Sequence, residues 1–206
     1  MNASERKVAQ LSTDLQESKT EIRHLRNELN YMKIEHDDLE NYGRRLNVRI
    51  EGIEFEREET QDDLYNKVKT ALGEVDIAIK KTHIVRFHRS SKPVRNRNGK
   101  LVAQTIVKFA RWEHRRQAHF ANKRAREKRL SFWFHNDLSK RCYKLLTGAR
   151  EMISNRPPAD ENGQNNDSNL FAYADVNSNL KIRYGHEVRD INSEDDIQRS
   201  IRELYG

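Results

Sequence analysis

Cysteine is almost absent from this 206-residue chain. Cys142 stands alone, so no disulfide can close within one copy, a usage that fits a reducing, intracellular compartment. No apolar run approaches the ~20 residues that a membrane span needs. The first residues are polar, without the apolar stretch of a signal peptide. Neither glycine nor proline occurs before Gly43, so nothing there breaks a helix. Apolar residues reach only 35% against 34% charged, too few for the whole chain to be core, and a rod or tail must take up the difference. Acidic residues are scarce in one place: residues 80–129 hold 17 basic side chains and 2 acidic ones, within a total of +7. Residues 1–45 sum to −1, residues 46–135 to +10 and residues 136–206 to −2. Ordinary surfaces mix signs; a cluster this one-sided points to a polyanion.

Catalytic signatures are missing too. There is no Gly-rich phosphate loop ending in Lys-Ser/Thr and no Cys/His spacing suited to zinc. His114 and His119 are five apart, poor spacing for one helix face. The acidic clusters Glu54, Glu56, Glu58, Glu59 and Glu194, Asp195, Asp196 fall at predicted helix starts, where negative charge suits the dipole. We expect no enzyme, no cofactor and no metal.

The stretch before Gly43 carries a 4-3 apolar repeat. With Val8, Leu15, Ile22, Leu29 and His36 at position a, position d holds Leu11, Ser18, Leu25, Met32 and Leu39. This is a coiled-coil seam of about five heptads; a lone helix would leave the stripe in water. Position g holds Asp14, Glu21, Glu28 and Glu35, and e holds Lys19, Arg26, Lys33 and Glu40. Parallel strands pair g with the following e, giving three attractive pairs and one repulsive one. Antiparallel strands would set like against like, so the coil is expected to be parallel. Ser18 and His36 are polar seam positions that fix register; a ring of His36 ligands for an ion is the weaker reading of the latter. Because the repeat starts almost at Met1, we expect a longer native coil.

From residue 44 the period changes to two. Leu46, Val48 and Ile50 alternate with Asn47, Arg49 and Glu51, a half-buried strand closed by Gly52. Thr60 with Asp63 caps a helix whose apolar face is Leu64, Val68, Ala71 and Leu72. A second strand follows over 82–89, then a basic hairpin tip over 90–100 with Pro93 and Asn98-Gly99. A third strand covers 101–109, a helix 111–126 and a fourth strand 130–134. The order β-α-β-β-α-β is the split βαβ arrangement, in which an RNA recognition motif binds single strands on its open sheet face. Such a motif places aromatics on its first and third strands. Here those places hold Arg49 and, on the third strand, Gln104 and Ile106. Contacts led by arginine and phosphate are expected in place of stacking.

Residues 136–206 read as a small α+β domain. Asp137 and Ser139 cap a helix over 140–154 with Cys142, Leu145, Leu146, Ala149 and Ile153 inward, the cysteine as a small core residue. Residues 156–168 are a polar, Asn-rich loop. Residues 170–174 and 180–184 form a hairpin turning at 177–179, 187–191 extend it, and Ser193 to Asp196 open a last helix through Ile197, Ile201 and Leu204.

The zipper, the junction Glu40-Asn41-Tyr42-Gly43-Arg44-Arg45-Leu46-Asn47-Val48-Arg49-Ile50-Glu51-Gly52-Ile53, the strand Ile106-Val107-Lys108-Phe109 and the cap Asn136-Asp137-Leu138-Ser139 occur in a telling order. In that order they resemble the first-open-reading-frame protein of LINE-type non-LTR retrotransposons and host proteins derived from it. The resemblance implies an α+β chain in three parts. These are a parallel trimeric coiled coil (1–43), an RNA-recognition-motif-like domain (44–135) and a C-terminal domain that clasps RNA (136–206). It also implies nucleic-acid chaperone activity in a cytoplasmic ribonucleoprotein particle, with the nucleus as a further location. By position, the RNA contacts of the family fall on Arg44, Arg45, Arg49, Lys108, Lys123 and Arg124. The basic cluster adds Arg86, Arg89, Arg111 and Arg115, and the C-terminal domain adds Arg150, Arg156, Tyr173, Lys181 and Arg183. Tyr173 or Tyr184 is read either as a base-stacking ring or as a half-buried sheet aromatic. Vertebrate members carry a trimer motif, Arg-hydrophobic-x-x-hydrophobic-Glu; residues 21–26 have its spacing with the charges exchanged, so trimer over dimer rests on the resemblance. The expected partners are single-stranded RNA, or single-stranded DNA, and further copies of the chain. The alternative is a coiled-coil adaptor whose basic domain binds an acidic protein.

The seam has a direct test. Ile22→Asp with Leu25→Asp puts charge at adjacent a and d layers and should give monomers by mass photometry; oligomers that persist would refute the seam.

Overall fold

The structure, a computed structural model, describes residues 3–155 and 170–205. The chain divides into two compact units, Met1–Glu40 and Asn41–Gly206. Helix α1 (Ala3–Arg44) is unbroken over 42 residues and runs through Gly43, consistent with the absence of glycine and proline before that position. Within the first unit, all eight apolar seam residues are exposed, from Leu29 at 47% to Leu39 at 74%.

The second unit contains two hydrophobic cores. The first lies behind an antiparallel sheet built from β1 (Asn47–Glu54), β2 (Ile84–Arg89), β3 (Val94–Arg95), β4 (Leu101–Phe109) and β5 (Trp133–Asn136). The strand order is β2-β4-β1-β5, with β3 a short addition to β4. Val48, Ile50, Val107, Phe109 and Phe134 meet Leu64, Val68 and Leu72 of α2 (Gln61–Glu74) and Ala118, Ala121 and Ala125 beside α3 (Trp112–His119) and α4 (Asn122–Glu127). Thr60 and Asp63 make the reciprocal capping box at the start of α2. The second core joins α5 (Lys140–Ser154) and α6 (Glu194–Tyr205) to a three-stranded sheet, β6 (Leu170–Ala174), β7 (Leu180–Tyr184) and β8 (Glu187–Asp190). Ser139 accepts from Cys142 N at its helix start. Cys142 is buried, as a small core residue should be.

Four local expectations change. Gly52 does not close β1; the strand runs on to Glu54 through a bulge, because Gly52 sits at φ +93°. A Cβ there would clash with the Ser131 carbonyl oxygen and lie 2.9 Å from Phe132 Cα, so this position takes only glycine. The single helix over 111–126 is two short helices broken at Phe120 and Ala121. Asn122 then turns its amide onto the edge of β5, donating to Phe134 O and accepting from Phe134 N. The fourth strand begins three residues later than expected, at Trp133. Asp137 is not a cap: it accepts from Asn47 Nδ2 at 2.8 Å and pairs with Arg44 at 3.2 Å. The polar loop over 156–168, with Arg156, lies outside the described residues, as does the side chain of Leu204.

Arg89 ties this fold together and is no free anion contact. Its row across the sheet is Arg89, Thr105, Ile50 and Phe134, the side that faces the helices. Its guanidinium donates to Glu59 at 2.7 and 2.9 Å, to Thr105 Oγ1, and to the carbonyls of Ile53, Glu54 and Ala103. Burial works to raise the Glu59 pKa, but the hydrogen bonds from Arg89 and Lys67 overcome it and hold the carboxyl below its ordinary value. A lowered carboxylate pKa contributes stability that is complete above the unfolded value and lost as the pH falls through the folded one, here on the acid side of the ordinary glutamate range. Glu59→Gln should cost about 2–3 kcal/mol at neutral pH and flatten the loss of stability on the acid side. Urea unfolding at neutral and acid pH measures both, and an unchanged midpoint at neutral pH would show that the pair is not stabilising.

Candidate nucleic-acid interface

The sheet has one face turned away from its helices, and antiparallel register sets its rows. His88, Ile106, Arg49 and His135 lie side by side across β2, β4, β1 and β5. Arg86, Lys108 and Asn47 form the row beside them. The expected absence of aromatics from the middle of this face holds: Arg49 is flanked by Ile106 and His135.

Against β1 and β5 of this face the C-terminal core leaves a cleft of about 230 Å³. Arg49, Glu51, His119, His135, Tyr143, Arg150 and Tyr173 all border it. Arg49 lies at 3.8 Å from Glu51, its guanidinium carbon 5.1 Å from the centre of the Tyr143 ring. Its Nε is buried with no hydrogen-bond partner among the described residues, an unmet donor that is costly to leave dry. Glu51 accepts from Gln104 and sits 3.3 Å from His135 Nε2. The hydrogen bond with His135 holds the Glu51 carboxyl below its ordinary range against the opposing effect of burial, with Gln104 and Arg49 adding to it.

One buried network closes the back of this cleft. Asn136 Oδ1 accepts from Arg115 Nη2 at 2.9 Å and lies 2.8 Å from His119 Nδ1. Asn136 Nδ2 donates to Asp175 O at 2.7 Å and reaches Ala174 O at 3.5 Å. Arg115 also donates to Val176 O, so helix α3 and strand β5 are bonded to the β6–β7 turn. Arg115 is 1% exposed; burial pulls its pKa down to about 10, with Asp175 acting the other way. It therefore stays charged at neutral pH but is sealed from any ligand, which corrects its expected role as an RNA contact. Burial likewise lowers the pKa of His119.

The other expected contacts divide by their surroundings. Arg45 is exposed, its guanidinium 3.7 Å over the Tyr42 ring. Arg86, Arg111 and Lys123 are exposed, while Lys108 and Arg124 are half-buried. Arg150 borders the cleft with Nε donating to Ala172 O at 3.2 Å. Tyr173 is half-buried, its ring 5.5 Å from Phe171. Lys181 is taken up by Asp190 at 2.9 Å and Asp175 at 3.9 Å, and Arg183 donates to Gly185 O. Outside the cleft, His83 stacks on His114 at 4.1 Å. Desolvation and the nearby His114, Lys80 and Arg111 push the His83 pKa down. Among the described residues, His36, Asp37 and Glu40 are the one trio of candidate metal donors, on adjacent turns of α1. Asp37 and Glu40 already have partners in the protein.

Sequence reasoning missed Glu51, His119, His135 and Tyr143 as cleft residues. The alternation of β1 put Glu51 on the open face with Arg49, which was the available signal; the other three come from elements whose packing the sequence does not specify. No protein-family model matches the chain, and no curated protein matches it either.

Asn136→Ala removes one hydrogen bond each from the Arg115 guanidinium, His119 and the Asp175 carbonyl, leaving Arg115 only Val176 O and the Asp175 carbonyl only Ser178 N. Thermal melting should register a loss of about 2–4 kcal/mol. A variant that melts like the wild type would show the network to be dispensable.

Proposed function

We propose that this chain is a sequence-tolerant, single-stranded RNA-binding protein and nucleic-acid chaperone. It would assemble through its N-terminal helix into the ribonucleoprotein particle of a LINE-type retrotransposon, or into an assembly inherited from one. The observation that carries this reading is the cleft, in which the Arg49 guanidinium, Arg150 and the rings of Tyr143 and Tyr173 converge beside an open, basic sheet face. The strand order β2-β4-β1-β5 with helices on one side is the order expected of an RNA recognition motif, and supports that assignment. The exposed apolar stripe of α1 supports a coiled coil, read as parallel from the e and g charges and as three-stranded by resemblance to the family.

The mechanism is polyvalent. Arg45, Arg86, Arg111 and Lys123 supply exposed charge for the phosphates, and arginine favours planar, stacked contacts over point attraction. Joining several such surfaces on one coil makes each further contact intramolecular, which raises affinity through effective concentration. Many weak charge contacts, rapidly remade, allow strands to exchange and anneal.

Fluorescence anisotropy with labelled single-stranded RNA across a salt series tests this. With ~6 phosphate contacts per site the log–log slope should be near roughly −4. Arg49→Gln with Arg150→Gln should weaken binding about tenfold or more, with the oligomer mass unchanged. A flat salt response, or wild-type affinity in the double variant, would overturn the assignment. Binding to heparin without binding to RNA would favour a basic adaptor for an acidic protein.

A further inference from the structure

The centre of the cleft is not uniformly positive. Glu51 stands in it, ionised, between Arg49 and His135, and a carboxylate there repels phosphate oxygens. The phosphates of a bound strand therefore belong on the exposed arginines and lysine outside, and the group that enters the cleft must offer donors to Glu51. At about 230 Å³ the space is below the range of drug-sized sites, a size for one ring and not for a run of bases.

His119, which borders the same cleft, supplies a second acceptor. The Asn136 amide is held by the Asp175 carbonyl, so its Oδ1 faces His119 Nδ1. That nitrogen must donate, which leaves Nε2 of the neutral ring as an acceptor. Arg49 borders the cleft as well, and its guanidinium, 3.8 Å from Glu51 through the buried Nε, carries further N–H donors, while the Tyr143 ring beside it offers a stacking surface.

We infer that the cleft receives a single nucleobase by its amino edge, with Glu51 as the acceptor that favours cytosine over uracil. This rests on the RNA-binding reading above and deepens it. The N4 amine of cytosine donates to a carboxylate, a pairing known from base readout, and its N3 beside the amine accepts from Arg49. Uracil has one donor on that edge, N3–H, set between two carbonyl oxygens that the carboxylate repels. The preference acts at one nucleotide per site, so the protein remains tolerant of sequence along the rest of the strand, where phosphate contacts dominate.

The test uses the full chain and three RNA oligonucleotides of equal length, made of cytidine, uridine or N4,N4-dimethylcytidine. Anisotropy titrations run at one ionic strength and slightly alkaline pH. The wild type should bind the cytidine oligomer about fivefold or more tightly than the uridine one, and the dimethylated oligomer as weakly as uridine. Glu51→Gln, which keeps the shape and replaces the charge by an amide, should bring the cytidine-to-uridine ratio near one while both still bind. Equal wild-type affinities, a dimethylated oligomer that binds like cytidine, or a ratio unchanged in the Glu51→Gln variant would each overturn the inference. If neither natural oligomer binds, the RNA-binding reading itself falls, and this one with it.

Discussion

Asn136 accepts from Arg115 and His119 and donates to the β6–β7 turn, and through those bonds two small hydrophobic cores become one compact unit. A buried amide with all its groups engaged is directional in a way that apolar contact is not. It sets the C-terminal sheet at a defined distance from β1 and β5, and the cleft is the space left over. Arg115 adds a charge that burial alone would make costly, and its bonds to Asn136 and Val176 offset that cost. The width of the cleft, the exposure of Tyr143 and the reach of Arg150 all follow from where this network places the second core.

Internal ties of this kind mean that total charge overstates the exposed basic surface. Residues 80–129 carry a large excess of basic side chains, yet Arg89 and Arg115 are spent inside the protein. Arg89 lies in the sheet row facing the helices, and Arg115 lies on the buried side of α3. What remains outward, Arg86, Arg111 and Lys123 with Arg45 at the end of α1, is exposed enough to meet phosphate. In the proposed interface Glu51 would divide the labour between these charges and the cleft. An interface for a polyanion does not need to be positive throughout; a carboxylate at its centre would turn part of it toward the bases.

Much of the fold was legible because it is governed by local rules. The period of two in β1, β4, β6 and β7 and the reciprocal cap at Thr60 and Asp63 rest on neighbours within a few residues. So do the cap at Ser139 and the unbroken α1. The break between α3 and α4 was not legible, since Ala121 and Asn122 have no local reason to end a helix. Asn122, which opens α4, bonds the edge of β5, a contact made across the chain. Gly52 was visible as a glycine but read as a stop; only the approach of Ser131 shows that it is a bulge.

The division between the two kinds of information is therefore physical. The sequence by itself determined the helical rod with its apolar stripe, the alternation that puts Arg49 and Glu51 on one face, and the concentration of positive charge. Each depends on periodicity or on counting. The tertiary structure alone decided which arginines are free, which are internal ties, and that His119, His135 and Tyr143 gather around Arg49. Those outcomes depend on strand register and on the seating of one core against another, which long-range packing sets and no local pattern encodes.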